Sequence, residues 1–218
     1  MGPYSHIVIA NELESFIKPE NKKEYYWGAV APDVRYLKKN MPRKQTHFSY
    51  EKIQSYLIQY PDLKDFLNGY LIHCLTDKLS IKKIIRKRFP FILLKSRITK
   101  SNSAIILEFL NIWISKPFDE TISQKNNPVL KEIGIDNKDV EKFTLEINKY
   151  IKFRSTEYSF MLYQNLGFTQ DKRLERYKKL HEQWQRSWFK SNVKLLTPQL
   201  RKVNGDIAQA IKQKLSQI

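Results

Sequence analysis

A single cysteine, Cys74, stands in the 218 residues of this chain, so no intramolecular disulfide can form. That usage fits a reducing compartment. No stretch approaches the roughly 20 consecutive apolar residues of a membrane helix, the apolar runs being short ones such as Phe91 to Leu94. The start of the chain lacks a basic region followed by an apolar one, and Pro3 with His6 breaks the myristoylation pattern. The expectation is a cytoplasmic protein with no transmembrane segment. Strand-length alternation of apolar and polar residues is missing too, as are repeats and low-complexity tracts. An all-α class follows. Acidic residues are few: 22 Asp and Glu stand against 39 Lys and Arg, a formal charge of +17. Such an imbalance favours an anionic partner, whether nucleic acid, an acidic membrane surface or a phosphate-bearing substrate, without choosing among them.

What is present is helical periodicity along most of the chain, enough for one domain, 1–218, with a full hydrophobic core. Ser5 can cap a helix that begins near His6 and runs to the break at Pro19. A second helix over 20–30 carries Tyr25, Tyr26 and Trp27, aromatics that belong to a core more often than to an interfacial patch. It stops at Ala31-Pro32, which puts Asp33 on a loop. Residues 34–44 read as an irregular connection. A helix over 50–59 follows His47, and Pro61-Asp62 opens the next. Further on, an apolar helix spans 103–115, residues 116–137 form the longest loop and a candidate lid, and one long helix spans 138–166. Thr169 caps a helix bearing His181, Trp184 and Trp188 on one stripe, where a core histidine is the simpler reading of His181. Thr197-Pro198 opens the last helix.

The helix after Pro61 is the centre of the reading. Leu63, Phe66, Leu67, Tyr70, Leu71, Cys74 and Leu75 mark one buried face, and His73 and Asp77, four residues apart, stack at its edge. Both side chains therefore point partly inward. An imidazole and a carboxylate there need a partner, supplied either by a plain hydrogen bond between them or by a divalent cation bound to both. Gly69, one turn earlier, weakens the helix by about 1 kcal/mol relative to Ala and suggests space reserved beside the imidazole.

His6, His47 and His73, with Asp33 and Asp77, all fall within the first 77 residues and come from separate elements. Imidazole and carboxylate donors of this kind suit zinc, and three histidines with two aspartates are about enough for two ions if one carboxylate bridges. The adjacent His-Asp pair of HD-type phosphohydrolases is absent, since Phe48 follows His47 and Cys74 follows His73.

Four stretches in order, Ser5-His6-Ile7-Val8-Ile9-Ala10, Gly28-Ala29-Val30-Ala31-Pro32-Asp33, Thr46-His47-Phe48, and the run from Gly69 through His73 to Asp77, resemble the successive signature blocks of the zinc-dependent phospholipase C family, whose fold is shared by P1/S1-type nucleases. The resemblance covers roughly residues 5 to 80. It implies a single-domain multi-helix bundle of the phospholipase C/P1 nuclease type and a zinc-dependent phosphoric diester hydrolase that attacks a phospholipid or small phosphodiester with a metal-activated water. By the same resemblance Asp33, His47, His73 and Asp77 hold one Zn2+, His6 and Asp77 contribute to a second, and Asp33 is the general base. A P1/S1-type nuclease is the alternative within this chemistry. Outside it stands a non-catalytic basic helical protein that binds nucleic acid or an anionic membrane surface.

The chain departs from the family in two places. Trinuclear members take a third set of ligands from a histidine soon after the core aspartate and from a later His-x3-Glu pair. Here Lys78, Ser80, Lys82 and Lys83 follow Asp77, and Gln185 stands four residues after His181. Secreted members also use a mature N-terminal tryptophan amine, whereas this chain starts Met1-Gly2-Pro3-Tyr4, which leaves the second ion to water, Tyr4 or the main chain. Between Asp77 and Glu108 no acidic residue occurs, and the block from Lys78 to Lys100 is the most positive in the chain. Lys78, Lys82 and Arg86 continue the row from Asp77 if the helix persists, and are the candidates for binding substrate phosphate in place of a third metal. The alternative is a solvated face. Arg35, close to Asp33, is expected to pair with that carboxylate.

Overall fold

A computed structural model describes residues 1–38, 41–79, 84, 85, 87, 100–116, 118, 122, 127–167, 172–185 and 193–217, and every regular element in them is helical. The helices are α1 (Pro3–Ile17), α2 (Lys22–Val30), α3 (Arg43–Thr46), α4 (Tyr50–Gln59), α5 (Lys64–Lys78), α6 (Lys100–Ile114), α7 (Pro128–Glu132), α8 (Asn137–Phe153), α9 (Thr156–Asn165), α10 (Lys172–Gln185) and α11 (Val193–Ser216). Two 3-10 helices, Ala31–Leu37 and Pro61–Leu63, connect α2 to α3 and α4 to α5. Among the described residues no helix is long and apolar enough to cross a membrane.

Several boundaries follow from local chemistry. The Asn21 side chain accepts from the Glu24 amide at 3.2 Å and starts α2, and the Ser49 hydroxyl accepts from the Lys52 amide at 3.3 Å and starts α4. At α1 the expected Ser5 cap gives way to a different device. The helix begins three residues earlier, with Pro3 in its first turn. Its first-turn Tyr4 and Ser5 amides donate to the two oxygens of Glu108 on α6, at 2.9 and 2.7 Å. Tyr150 on α8 donates its hydroxyl to the same carboxylate at 2.5 Å. Glu108 is fully buried, and three donors offset the cost of placing it there, although burial still raises its pKa.

Other expectations are corrected in the same physical terms. Asp33 lies on the 3-10 helix rather than on a loop, because Pro32 ends α2 without ending the helical turn. Part of the expected irregular stretch folds as that 3-10 helix and as α3. The single helix expected over 138–166 is two, broken where Arg154 adopts φ 48° and the Ser155 hydroxyl caps the Tyr158 amide at 2.9 Å. The last helix starts at Val193 with Pro198 inside it. Thr169 and the side chains of Trp184 and Trp188 lie outside the described residues, as does part of the expected lid, within which α7 forms.

The tightest contact in the fold is between α2 and α5. At Gly28 an added Cβ would fall 2.0 Å from the Phe66 carbonyl oxygen, and at Gly69 one would fall 1.9 Å from that of Tyr25. Only glycine fits at either position. The space at Gly69 is therefore filled by the α2 backbone rather than held open beside the imidazole. Around this crossing Tyr25, Tyr26 and Trp27 are fully buried, which places them in the core. The same crossing brings the last turn of α2 against His73.

Candidate metal centre

Five side chains that are far apart in sequence meet here. His6 comes from α1, Asp33 from the 3-10 helix, His47 from the residue ending α3, and His73 and Asp77 from α5. His6, Asp33 and His73 are 2 % exposed or less. Two trios offer ligand atoms all within 4.8 Å of one another, His6 with Asp33 and His73, and His47 with His73 and Asp77. His73 belongs to both.

The imidazole orientations are set by the backbone. The Nδ1 of His73 lies 2.8 Å from the carbonyl oxygen of Ala29, which can only accept, so that nitrogen carries the hydrogen and a neutral His73 turns the bare Nε2 into the site. The close α2–α5 crossing at Gly28 and Gly69 makes this contact reachable. The Nδ1 of His47 lies 3.1 Å from the Thr46 hydroxyl, and its Nε2 faces inward. His6 stacks on His73 with ring centroids 3.7 Å apart and planes at 13°.

The inward atoms crowd one another. His47 Nε2 stands 3.2 Å from His73 Nε2 and 3.1 Å from Asp77 Oδ2, and His73 Nε2 stands 3.5 Å from the same oxygen. Around a zinc ion with ligands at about 2.05 Å, tetrahedral ligand atoms stand about 3.3 Å apart, so these spacings fit a shared cation. A shared proton is the other way to relieve two facing nitrogens, but it serves one pair at a time. In the trio of His6, Asp33 and His73 both nitrogens of His6 and the Oδ2 of Asp33 are buried without a hydrogen-bond partner, the 3.6 Å from His6 Nε2 to Asp77 Oδ1 being too long for one. Buried polar atoms left in this state are costly, and a cation is one partner this donor set could take.

Charge follows from the packing. Burial, with the neighbouring His73 and the α-amino group of Met1, holds the His6 pKa well below that of an ordinary imidazole. Burial lowers His47 to about 4 against the pull of its hydrogen bond to Asp77. For Asp77 burial acts to raise the pKa, but the Met1 amine, His6 and the adjacent His47 and His73 imidazoles outweigh it and leave the group well below the carboxylate range. Near neutral pH the site therefore presents neutral His6 and His47 and an ionised Asp77, the protonation states a metal requires.

Cations already stand against Asp77. Its Oδ1 accepts from the Met1 amine at 2.8 Å, and its Oδ2 accepts from Arg43 Nη2. Arg43 is the residue that sequence reasoning missed. Its signal was spacing: it precedes His47 by four residues, so one turn of α3 directs both to the same oxygen. Tyr4 takes no part, since its hydroxyl donates to the Lys116 carbonyl oxygen at 3.2 Å.

The remaining candidates lie elsewhere. Arg35 packs its guanidinium 4.2 Å from the Tyr36 ring centroid and forms no ion pair with Asp33, contrary to expectation. His181 packs edge-on against Phe109 and Phe160, in the core rather than at the site. Cys74 is buried and its thiol is pushed up to about 12, as suits a small core residue. Lys78 is exposed at the end of α5, where Leu79 turns extended, so the row from Asp77 does not continue as an unbroken helix. Lys82 and Arg86 lie outside the described residues.

No protein-family model matches the chain, and comparisons with curated proteins and with solved structures find no match.

Proposed function

We propose that this protein is a metal-dependent phosphodiester hydrolase, with His6, Asp33, His47, His73 and Asp77 as ligands of two zinc-like cations. The observation that carries the reading is the convergence of His47 Nε2, His73 Nε2 and Asp77 Oδ2 at 3.1 to 3.5 Å, beside the buried, unpartnered atoms of His6 and Asp33. Three such atoms on two adjacent ligand-type side chains are what sets this cluster apart from single buried polar atoms elsewhere in the chain. Bound cations of this class polarise a phosphoryl oxygen and make water a nucleophile near neutral pH.

The chain's own groups supply the rest. Ala29 holds His73 in the tautomer that aims a bare Nε2 inward, and the Thr46 hydroxyl braces the His47 ring at Nδ1. Asp33 Oδ2, buried and without a partner, is the atom that would take the proton of the attacking water. Burial of His6, Asp33 and His73 to 2 % exposure or less strengthens each electrostatic contact at that end of the cluster.

A phospholipid or other small phosphodiester is the favoured substrate, since the sequence blocks resemble the phospholipase side of that fold. The formal charge of +17 keeps a single-stranded nucleic acid as the second reading. Turnover of a phosphocholine diester, bis-p-nitrophenyl phosphate and single-stranded DNA, each with and without added zinc, tests the proposal. Zinc-dependent turnover of the small diesters over DNA supports it, and preference for DNA selects the nuclease. No turnover of any, with tight salt-sensitive DNA binding, leaves a basic binding protein.

A further inference from the structure

Three side chains converge on Asp77 Oδ2. His47 and His73 reach it at 3.1 and 3.5 Å from the interior, and Arg43 Nη2 reaches it from the opposite, solvent side. The Arg43 side chain is 51 % exposed, whereas Asp77 is 7 % and His47 9 % exposed, so among the charged side chains meeting at this oxygen Arg43 alone reaches substantially into solvent.

Its backbone is tethered. The His47 amide donates to the Arg43 carbonyl oxygen at 2.9 Å, and the Tyr70 hydroxyl of α5 donates to the Thr46 carbonyl oxygen. The base of the arm is fixed while its tip is in water. Lys44, the next residue, is exposed and has no ion pair among the described contacts.

We infer that Arg43 is the substrate-binding arm of this site: its guanidinium rests on Asp77 Oδ2 in the metal-free protein, leaves when a cation takes that oxygen, and then grips the two unesterified oxygens of a phosphodiester anion. This rests on the metal-dependent reading above. The chemistry favours a phosphate over a neutral ester or amide, because the solvent-exposed group that touches Asp77 is a cation. A guanidinium fork also matches two oxygens on one phosphorus, whereas an ammonium supplies a point charge. Arg43 and the cation then compete for Oδ2, which separates this role from that of a residue that merely orients Asp77. Removing an orienting group weakens metal binding. Removing a competitor strengthens it.

The test compares the full chain with Arg43→Gln, Arg43→Lys and Lys44→Gln, stripped of metal and then titrated with zinc by calorimetry. Dimethyl phosphate binding to the zinc-loaded forms is measured next, followed by steady-state kinetics on a phosphocholine diester and on a short single-stranded oligonucleotide. For Arg43→Gln the expected result is zinc affinity raised several-fold, dimethyl phosphate affinity lowered about tenfold or more, and KM raised on whichever substrate is turned over, with Arg43→Lys between and Lys44→Gln like the parent. The substrate whose KM moves identifies the source of the diester, lipid headgroup or nucleic acid. Zinc affinity lowered in Arg43→Gln overturns the inference in favour of an orienting role. Zinc bound equally by all forms, with unchanged phosphate affinity and KM, overturns it while leaving the metal centre standing. Zinc bound by none overturns the metal reading and this inference together.

Discussion

His47 and His73 turn their Nε2 atoms toward each other at 3.2 Å. In His73 the other ring nitrogen is committed to Ala29, so the pair cannot relax by exchanging tautomers freely. The pairing is a consequence of the α2–α5 crossing, and the proposed cation would relieve it.

Because His73 belongs to both ligand trios while His6 and His47 belong to one each, their variants should differ in stoichiometry. His73→Ala is expected to lose bound zinc altogether, with affinity down by more than about a hundredfold. His6→Ala and His47→Ala are each expected to keep part of the binding. Equilibrium dialysis with elemental analysis reads the difference, and equal losses in all three would dissolve the two-trio arrangement.

The metal-free protein should lose stability on mild acidification. His47 has a folded pKa of about 4, and His6 is likewise held well below its ordinary 6.5, so between those values the unfolded chain binds protons that the folded chain refuses. Stability therefore rises with pH across this window and falls as pH drops from about 6.5 toward 4, by up to about 1.4 kcal/mol per pH unit for each histidine. Asp77, with its depressed pKa, adds a further loss below its ordinary 3.8. Urea unfolding between pH 7 and pH 4.5 checks the direction. A flat profile over that range would mean the imidazoles are not buried as described.

Gly69→Ala is expected to destabilise the fold even though alanine is the better helix former by about 1 kcal/mol. The added Cβ meets the Tyr25 carbonyl oxygen at 1.9 Å, and backbone cannot move aside as a side chain can. A net loss of about 2 kcal/mol or more is expected from such overpacking, together with weakened zinc binding, because displacing α2 withdraws the Ala29 carbonyl from His73. Gly205→Ala, with nothing within 4 Å, is the control. Thermal unfolding of both variants decides the matter.

The fate of this glycine shows where the sequence was legible and where it was not. Local signals placed α4 at 50–59, since Ser49 and the apolar spacing act within one turn. Periodicity also identified α5 and the inward edge bearing His73 and Asp77. It could not see the break at Arg154, because the apolar rhythm continues across it and neither Gly nor Pro marks the place. The cap of α1 was hidden for another reason: its acceptor, Glu108, lies more than a hundred residues away. Arg43 was read as part of an irregular basic stretch, and its position depends on α3 closing toward α5. The five candidate ligands were named from residue type, order and family resemblance; their distances come only from the tertiary fold.

Glu108→Gln should be costly, because an amide cannot accept from both the Tyr4 and Ser5 amides while also receiving the Tyr150 hydroxyl. One donor is left facing another in a fully buried site, and a loss of about 2 to 3 kcal/mol is expected. Tyr150→Phe removes one donor and should cost about 1 kcal/mol. Denaturant unfolding of the two variants reads the order, and equal effects would show that the helix amides are satisfied by other groups.

The central claim is that this cluster binds metal, and its most direct test is the metal content of the purified protein and of protein reconstituted with zinc, measured beside His73→Ala. At least one equivalent of transition metal per chain in the parent, lost in the variant, is the expected result. Less than one equivalent in both would contradict the account.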